Sequence, residues 1–167
     1  RLVRVGEFDS LGSRIAQIVA AQGRALGGTR IIGCDELQSI EGDFAGLQPV
    51  AIKPTPMARP TERKWLSQAM AKEYAIPVLD EAGSVEAVLY AGRIINRDYT
   101  FVDRIRKMAV EKAVYDSKPV GTVTIFQDDV RISTNVLDEE GQRAVGTRVS
   151  AQVYEKVVEE GDIWHDR

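Results

Sequence analysis

Histidine and cysteine, two side chains that often carry catalysis or bind metals, are scarce in this chain of 167 residues. Its one histidine, His165, lies at the C-terminal end, which argues against a histidine-based triad, and one histidine with one cysteine, Cys34, cannot supply a closed zinc shell. The acidic run Asp138-Glu139-Glu140 lacks the spacing of a calcium loop and has the composition of a solvated turn. The composition therefore favours ligand or partner recognition over an enzyme, with no metal and no cofactor.

Residues suited to binding a small molecule occur first around a proline-rich loop. In the segment from Pro54 to Pro60 the prolines fix the backbone and would aim Arg59 into a pocket, with Met57 beside it. The planar guanidinium of Arg59 suits a carboxylate, and the alternative is an arginine on a solvated loop. Tyr74 and Tyr90 are polar aromatic residues on otherwise apolar strands, and we expect them in the same pocket.

A second group of candidates lies further along the chain. Arg131, Ser133 and Asn135 alternate with apolar residues and so share one face of a predicted strand, and Thr124 lies on the neighbouring strand. Together these side chains would line a small polar cavity, with Arg131 and Thr124 as its main ligand contacts. A polar face is also typical of a half-exposed antiparallel strand that meets solvent or a dimer partner, and this alternative is the favoured one.

The elements that must position these residues follow from the hydrophobic pattern. Alternation predicts two hairpins, one from Tyr74–Leu79 and Ser84–Ile95 and one from Thr122–Phe126 and Val130–Val136, besides a strand at Pro49–Ile52. Helical spacing predicts helices at Ser13–Ala25, from Asn96 or Asp98 to about Val114, and at Ser150–Glu160, with a short helix at Trp65–Met70. Antiparallel strands flanked by helices are an α+β fold class.

One predicted helix gives a specific packing expectation. Ser150 is placed to cap its N-terminus, and Val153 and Val157 are spaced four residues apart on one side. We therefore expect both valines to be buried against a sheet.

Four blocks carry a family resemblance: GTVTIF (121–126), DVRISTNV (129–136), DEEGQRAVGTRVS (138–150) and VYEKVVEEG (153–161). In order and spacing they resemble the second module of a double-Cache sensor domain, and residues 54–62 and 76–105 are similar to the end of the first module and the linking helix. The resemblance implies PAS-like antiparallel sheets, with a first, membrane-distal module at residues 1–95 and a linking helix and second module at 96–167. The second module is expected to be incomplete, since the aromatic strands that normally follow the last helix are missing. The first is expected to be incomplete as well, since residues 6–23 have the layout of residues 146–161 and would start the chain in the middle of a module.

The resemblance also implies a function. It is that of an extracytoplasmic, periplasmic sensing domain of a transmembrane chemoreceptor or sensor histidine kinase, attached to the membrane only through segments outside this chain. We expect a small organic ligand such as a carboxylate or an amino acid, usually in the first module, and a homodimer. The alternative is a PAS-like dimerisation module without a ligand, which would need an exposed apolar patch.

Composition is consistent with this view. The net charge is -3 and the basic residues are scattered, which argues against nucleic-acid binding. No apolar run approaches the roughly 20 residues that cross a bilayer. A third possibility, a small enzyme, would require perturbed titratable groups gathered in a cleft, and the sequence indicates none.

Overall fold

The computed structural model describes residues 2–4, 14–33, 36, 49–110, 114–115, 118–119 and 121–165. Their helices and antiparallel sheets confirm the α+β class. The chain divides into two compact units, each described by itself. Unit 1 comprises residues 1–47 and 68–95, and unit 2 comprises residues 48–67 and 96–167. The proline-rich loop thus belongs to unit 2. The sequence predicts it in the first module, with the sheet of Tyr74 and Tyr90, which belongs to unit 1.

The elements follow one another in this order: β1 (Leu2–Arg4), α1 (Arg14–Gln22), β2 (Leu26–Ile32), β3 (Val50–Ala51), β4 (Trp65–Leu66), β5 (Ala69–Leu79), β6 (Val85–Ile94), α2 (Tyr99–Val110), β7 (Val114–Tyr115), β8 (Lys118–Pro119), β9 (Thr124–Gln127), β10 (Val130–Thr134) and α3 (Ala151–Tyr154). A π-helical turn, Glu155–Glu159, continues α3.

Unit 1 contains a four-stranded antiparallel sheet in the order β1-β6-β5-β2. The pairing of β5 with β6 confirms the first predicted hairpin. Its turn is held by Asp80, whose Oδ1 accepts hydrogen bonds from the amides of Ala82 and Ser84 at 2.9 and 2.7 Å. Gly83 completes the turn with φ of +82°, a conformation that glycine adopts without steric cost.

Helix α1 covers one face of this sheet. Ala16 and Val19 of the helix form a buried cluster with Ala75 of β5 and Val88 of β6. The helix ends at Gly23, where φ is +63° and the amide donates to the carbonyl oxygen of Val19 at 2.9 Å. The predicted continuation to Ala25 is wrong, because a left-handed glycine ends the helix.

Unit 2 contains the second predicted hairpin, which the antiparallel pairing of β9 with β10 confirms. The ladder is interrupted by a bulge between Arg131 and Ser133: Arg131 pairs with Phe126, and Ser133 pairs with Ile125. Consecutive residues of β9 point to opposite faces, so Arg131 and Ser133 lie on opposite faces as well. The expectation that Arg131 and Ser133 share one face is therefore wrong.

Two segments of unit 2 extend the hairpin sideways. The amides of Arg131 and Val149 donate to the carbonyl oxygens of Thr147 and Asp129. These hydrogen bonds align the segment around Thr147–Val149 with β10. On its other side this segment meets the loop after β3. Gly146 allows that approach, because a Cβ at this position would lie 2.1 Å from the carbonyl oxygen of Ala51.

Helix α2 is joined to the same hairpin. Arg143 donates from Nη1 and Nη2 to the two carboxylate oxygens of Asp103 at 2.9 and 2.7 Å, and its guanidinium lies 4.4 Å from the ring centroid of Tyr99. The Arg143 hydrogen bond holds the pKa of the Asp103 carboxyl below its usual value. The helix ends at Val110, so its predicted extension to Val114 is wrong, and Val114 instead pairs in a short strand.

Helix α3 begins as predicted. The Ser150 hydroxyl accepts a hydrogen bond from the amide of Val153 at 3.3 Å. Beyond Tyr154 the helix winds as a π-helix, in which the Glu160 amide donates to the Glu155 carbonyl oxygen at 3.0 Å. Side chains four residues apart then no longer share one face. Val153 is half-buried and Val157 is 42% exposed, so the predicted burial is wrong for Val157.

The segment Trp65–Met70 is not the short helix that the sequence predicts. Trp65 and Leu66 form β4, which pairs with β3, and Ala69 begins β5. Pairing with β3, at the predicted strand Pro49–Ile52, buries Leu66 and overrides the local helical preference.

Candidate functional site in unit 2

An open cleft of about 580 Å³ lies within unit 2, next to the proline-rich loop. Its lining consists of the residues on both sides of that loop together with one arginine from the segment after β10: Ile52, Lys53, Pro54, Thr55, Thr61, Glu62, Arg63, Lys64 and Arg148. The volume is within the range of roughly 300–1,000 Å³ that small-molecule sites occupy. Four basic side chains and Glu62 give this lining a positive balance.

The floor of the cleft is a buried ion pair. Arg148 donates from Nε to Asp129 Oδ2 at 2.7 Å and from Nη2 to the same oxygen, and the side chain of Asp129 is only 2% exposed. Nη1 of Arg148 donates to the carbonyl oxygen of Arg59, and its amide donates to Thr55 Oγ1 at 3.0 Å. The pair therefore fixes both the hairpin turn and the loop that forms the cleft wall.

Arg63 shares the same buried carboxylate. Its Nη2 atom donates to Asp129 Oδ1 and to Asp128 Oδ2, both at 3.1 Å. Because both bonds use Nη2, the N–H groups on Nε and Nη1 have no partner in the described part of the chain. The Arg63 side chain lines the cleft and is 41% exposed.

Arg59 and Met57, the loop residues predicted from the sequence, do not line this cleft. The guanidinium of Arg59 lies 3.1 Å from the ring centroid of Tyr154 and forms an ion pair with Glu159 at 3.4 Å. The carbonyl oxygen of Met57 accepts a hydrogen bond from the amide of Ala151 at 2.8 Å. Both residues thus connect the loop to α3 and its π-helical continuation.

Arg131 and Thr124 lie on one face of the β9–β10 hairpin, as their pairing with Phe126 and Thr134 requires. Nη1 of Arg131 donates to Thr147 Oγ1 at 2.8 Å, and its Nε is buried without a partner in the part of the chain that the structure describes. Burial lowers the pKa of the Arg131 guanidinium. The hydroxyls of Thr124 and Thr134 share one hydrogen bond of 2.6 Å.

Tyr74 and Tyr90 lie in unit 1 on opposite faces of its sheet. Tyr90 pairs with Ala75, the residue after Tyr74, so the two rings project to opposite sides. Tyr74 is 57% exposed, and its ring covers Gly27 of β2. The sheet does not bring these two candidates together.

The helix-covered face of that sheet carries a buried carboxylate, Glu73, with an exposed side-chain fraction of 2%. Arg30 donates to both of its oxygens at 2.8 Å, and the Tyr90 hydroxyl donates to Oε1 at 2.5 Å. Burial raises the pKa of the Glu73 carboxyl, but the hydrogen bonds from Arg30 and Tyr90 outweigh burial and leave the pKa below its usual value. Arg30 also contacts Glu36 at 2.7 Å.

Sequence reasoning missed Glu73, Asp129, Arg148 and Arg63. A signal existed for Glu73, which occupies the inward-facing position of an alternating strand where only small apolar residues precede it. No comparable signal marks Asp129 and Arg148, because their pairing depends on contacts formed only in the folded chain.

Two further findings concern the described residues alone. None of their helices is both long and apolar enough to cross a membrane. No group of three or more His, Cys, Asp or Glu side chains comes together among them to hold a metal ion.

Comparison with known proteins identifies one family over part of the chain. Residues 93–167 match the family model described as Single cache domain 3. No curated protein and no solved structure gives a significant match. Cache domains are in general extracytoplasmic, non-catalytic sensor domains of receptors that bind small molecules. The match falls almost entirely in unit 2, the unit that contains the basic cleft.

Proposed function

We propose that this chain is the small-molecule sensing region of a transmembrane receptor, a chemoreceptor or a sensor histidine kinase, and that its two units are two Cache modules. The observation that carries the proposal is the Cache match over most of unit 2, whose open cleft of about 580 Å³ takes Arg148 from the matched residues and its other lining from positions 52–64. The sensing region lies outside the cytoplasm, and membrane segments elsewhere in the receptor transmit its response.

The ligand is a small organic anion such as a carboxylate or an amino acid. Support comes from the basic lining of the cleft and from the accessible donors of Arg63. The six residues predicted from the sequence, Arg59, Met57, Tyr74, Tyr90, Arg131 and Thr124, do not line this cleft, and they stay candidates for contacts outside it, divided between the two units. Of these, Arg59 and Arg131 are the strongest candidates for a separate polar contact, because the buried Nε of each has no partner among the described residues.

A thermal-shift screen tests sensing directly. A ligand that binds only the folded state at 100 times its dissociation constant adds roughly 2.7 kcal/mol to the free energy of unfolding. We expect at least one compound in a panel of carboxylates and amino acids to raise the melting temperature in a saturable way, with uncharged polyols as the control. A flat response to the whole panel, and to purines, would reject a sensing role for the isolated chain.

The rival function is a dimerisation module without a ligand, and one observation favours it. Tyr74, Ile76 and Leu89 lie on the sheet face of unit 1 opposite α1, and each is at least 44% exposed. An apolar patch of this kind is typical of an interface. If Ile76→Glu converts a dimer into a monomer in sedimentation experiments while every ligand screen stays flat, the rival reading is the correct one.

A further inference from the structure

We infer that the cleft of unit 2 binds a small oxyanion, a carboxylate or a phosphate, between Arg63 and Lys64. This inference rests on the proposed sensing function and adds to it the site and the ligand chemistry. The two side chains are neighbours in sequence, and both line the cleft. Neither the sequence-based prediction for the proline-rich loop nor the Cache match gives Arg63 and Lys64 this role as anion contacts.

Arg63 is positioned from behind. The two carboxylates that accept from its Nη2 belong to the tight β9–β10 turn, and Asp129 is itself held by the buried Arg148. The guanidinium is therefore fixed in direction before a ligand arrives, which reduces the entropy lost on binding. Its Nε and Nη1 groups stay available, and guanidinium donors form strong hydrogen bonds with carboxylate and phosphate oxygens.

Lys64 supplies the charge that the surrounding carboxylates do not cancel. Arg148 is neutralised by Asp129, and Lys53 forms an ion pair with Asp138 at 3.1 Å. Within the described residues no side chain pairs with the Lys64 ammonium. Its charge is thus available to an anion in the cleft, and strong salt dependence should accompany the binding.

Two threonine hydroxyls belong to the cleft lining, and only one of them has a hydrogen left to donate to a ligand. Thr55 Oγ1 accepts from the Arg148 amide and donates to the Lys53 carbonyl oxygen, so its hydrogen is already committed. Thr61 Oγ1 accepts from the Arg63 amide at 3.2 Å, which leaves its hydrogen for a ligand oxygen. Glu62 opposes the same anion, since it is the acidic side chain of the lining.

Calorimetric titration of the whole chain with succinate and with inorganic phosphate tests this site at low ionic strength. Lys64→Ala should weaken binding by roughly tenfold or more, since a charge-assisted contact is lost. Glu62→Gln should strengthen it by roughly threefold, since a repelling charge is removed. Lys107→Ala, an exposed lysine of α2 that is not part of the lining, is the matched control and should leave the affinity unchanged.

The outcomes distinguish an error in the proposed anion site from an error in the proposed sensing function. Binding of phosphate alone identifies a phosphate group as the ligand, and binding of succinate alone identifies a carboxylate. If succinate or phosphate binds but Lys64→Ala and Glu62→Gln both leave the affinity unchanged, this site is wrong while sensing survives. If neither anion binds and other compounds still raise the melting temperature, the oxyanion assignment fails in the same way. The Lys64 ammonium has no partner among the described residues, so its substitution should not disturb folding, and an unchanged melting temperature of the free variant verifies this.

Discussion

Each unit buries one carboxylate against an arginine, and the two arrangements differ in what they leave over. In unit 1, Glu73 accepts from Arg30 through both oxygens and from the Tyr90 hydroxyl. In unit 2, Asp129 accepts from Arg148 and Arg63, and Arg63 keeps donors that face an open cleft. Each carboxylate accepts on both of its oxygens, but Arg30 also donates from Nη1 to Glu36, whereas Arg63 keeps its Nε and Nη1 groups for an additional anion.

The comparison teaches that a buried ion pair is not in itself a functional site. Such pairs are costly to desolvate, and they mark a binding site only where charge or donors are left in excess beside an accessible volume. Glu73 and its partners fix the sheet of unit 1, while Asp129 and Arg148 hold Arg63 at the cleft. The predictions below test this difference, from the largest effect to the smallest.

Arg148→Met should lower the free energy of unfolding by about 3 kcal/mol, because it leaves Asp129 buried with only the Arg63 contact. Urea denaturation measures the change. Arg104→Met, at an exposed position of α2, is the control and should alter stability by no more than about 0.5 kcal/mol. A loss below about 1 kcal/mol for Arg148→Met would mean that the pair does not fix the cleft floor.

Glu73→Gln should cost about 1.5–3 kcal/mol, the range for hydrogen bonds to charged groups, because Arg30 loses its bidentate carboxylate. Because Glu73 belongs to unit 1 and the proposed anion site to unit 2, this variant should bind succinate with the affinity of the wild type. Glu86→Gln, an exposed acid on β6, is the matched control. A tenfold loss of succinate affinity in Glu73→Gln alone would place the ligand in unit 1.

Acid should weaken the Glu73 centre in a defined direction. The folded-state pKa of Glu73 is below its unfolded value, so the stabilisation is complete above the unfolded-state pKa, near 4.5, and is lost as pH falls through the folded-state pKa. Asp103 beside Arg143 follows the same sign. Glu73→Gln should therefore lose less stability than the wild type between pH 6 and pH 3. Parallel acid profiles for the two proteins would contradict the lowered pKa.

Arg59→Ala should have the smallest effect, roughly 0.5–1 kcal/mol of stability, because its contacts with Tyr154 and Glu159 are partly exposed. Succinate affinity should stay within about twofold of the wild type, since Arg59 does not line the cleft. A loss of roughly tenfold in affinity would instead make Arg59 a direct ligand contact.

Local patterns predicted much of this fold. Both hairpins, the Ser150 cap and the acidic turn at Asp138 follow from alternation and turn chemistry, which act between near neighbours. The bulge after Arg131 could not be predicted, because one unpaired residue leaves the alternation of the sequence intact. It nevertheless places Arg131 and Ser133 on opposite faces of the hairpin.

The candidate site was less accessible to prediction. Arg148 contacts Thr55 and Arg59 across 93 and 89 positions, so the cleft forms only when residues 48–67 join unit 2. The sequence drew attention to Arg59 because prolines surround it, but Arg63, four residues further on, carries the accessible donors. The π-helical turn likewise depends on the folded chain, and it moved Val157 out of the predicted stripe.

Chemical-shift perturbation with succinate tests the central claim most directly, because it locates the anion in one unit or the other. In amide spectra of the labelled chain, we predict saturable shifts at Thr61, Arg63, Lys64 and Asp129, and none at Arg30, Glu73 and Tyr90. At a succinate concentration near the wild-type dissociation constant, Lys64→Ala should reduce the shifts roughly fivefold, and Lys107→Ala should preserve them. Shifts confined to the Glu73 centre, or unaffected by Lys64→Ala, would contradict the account.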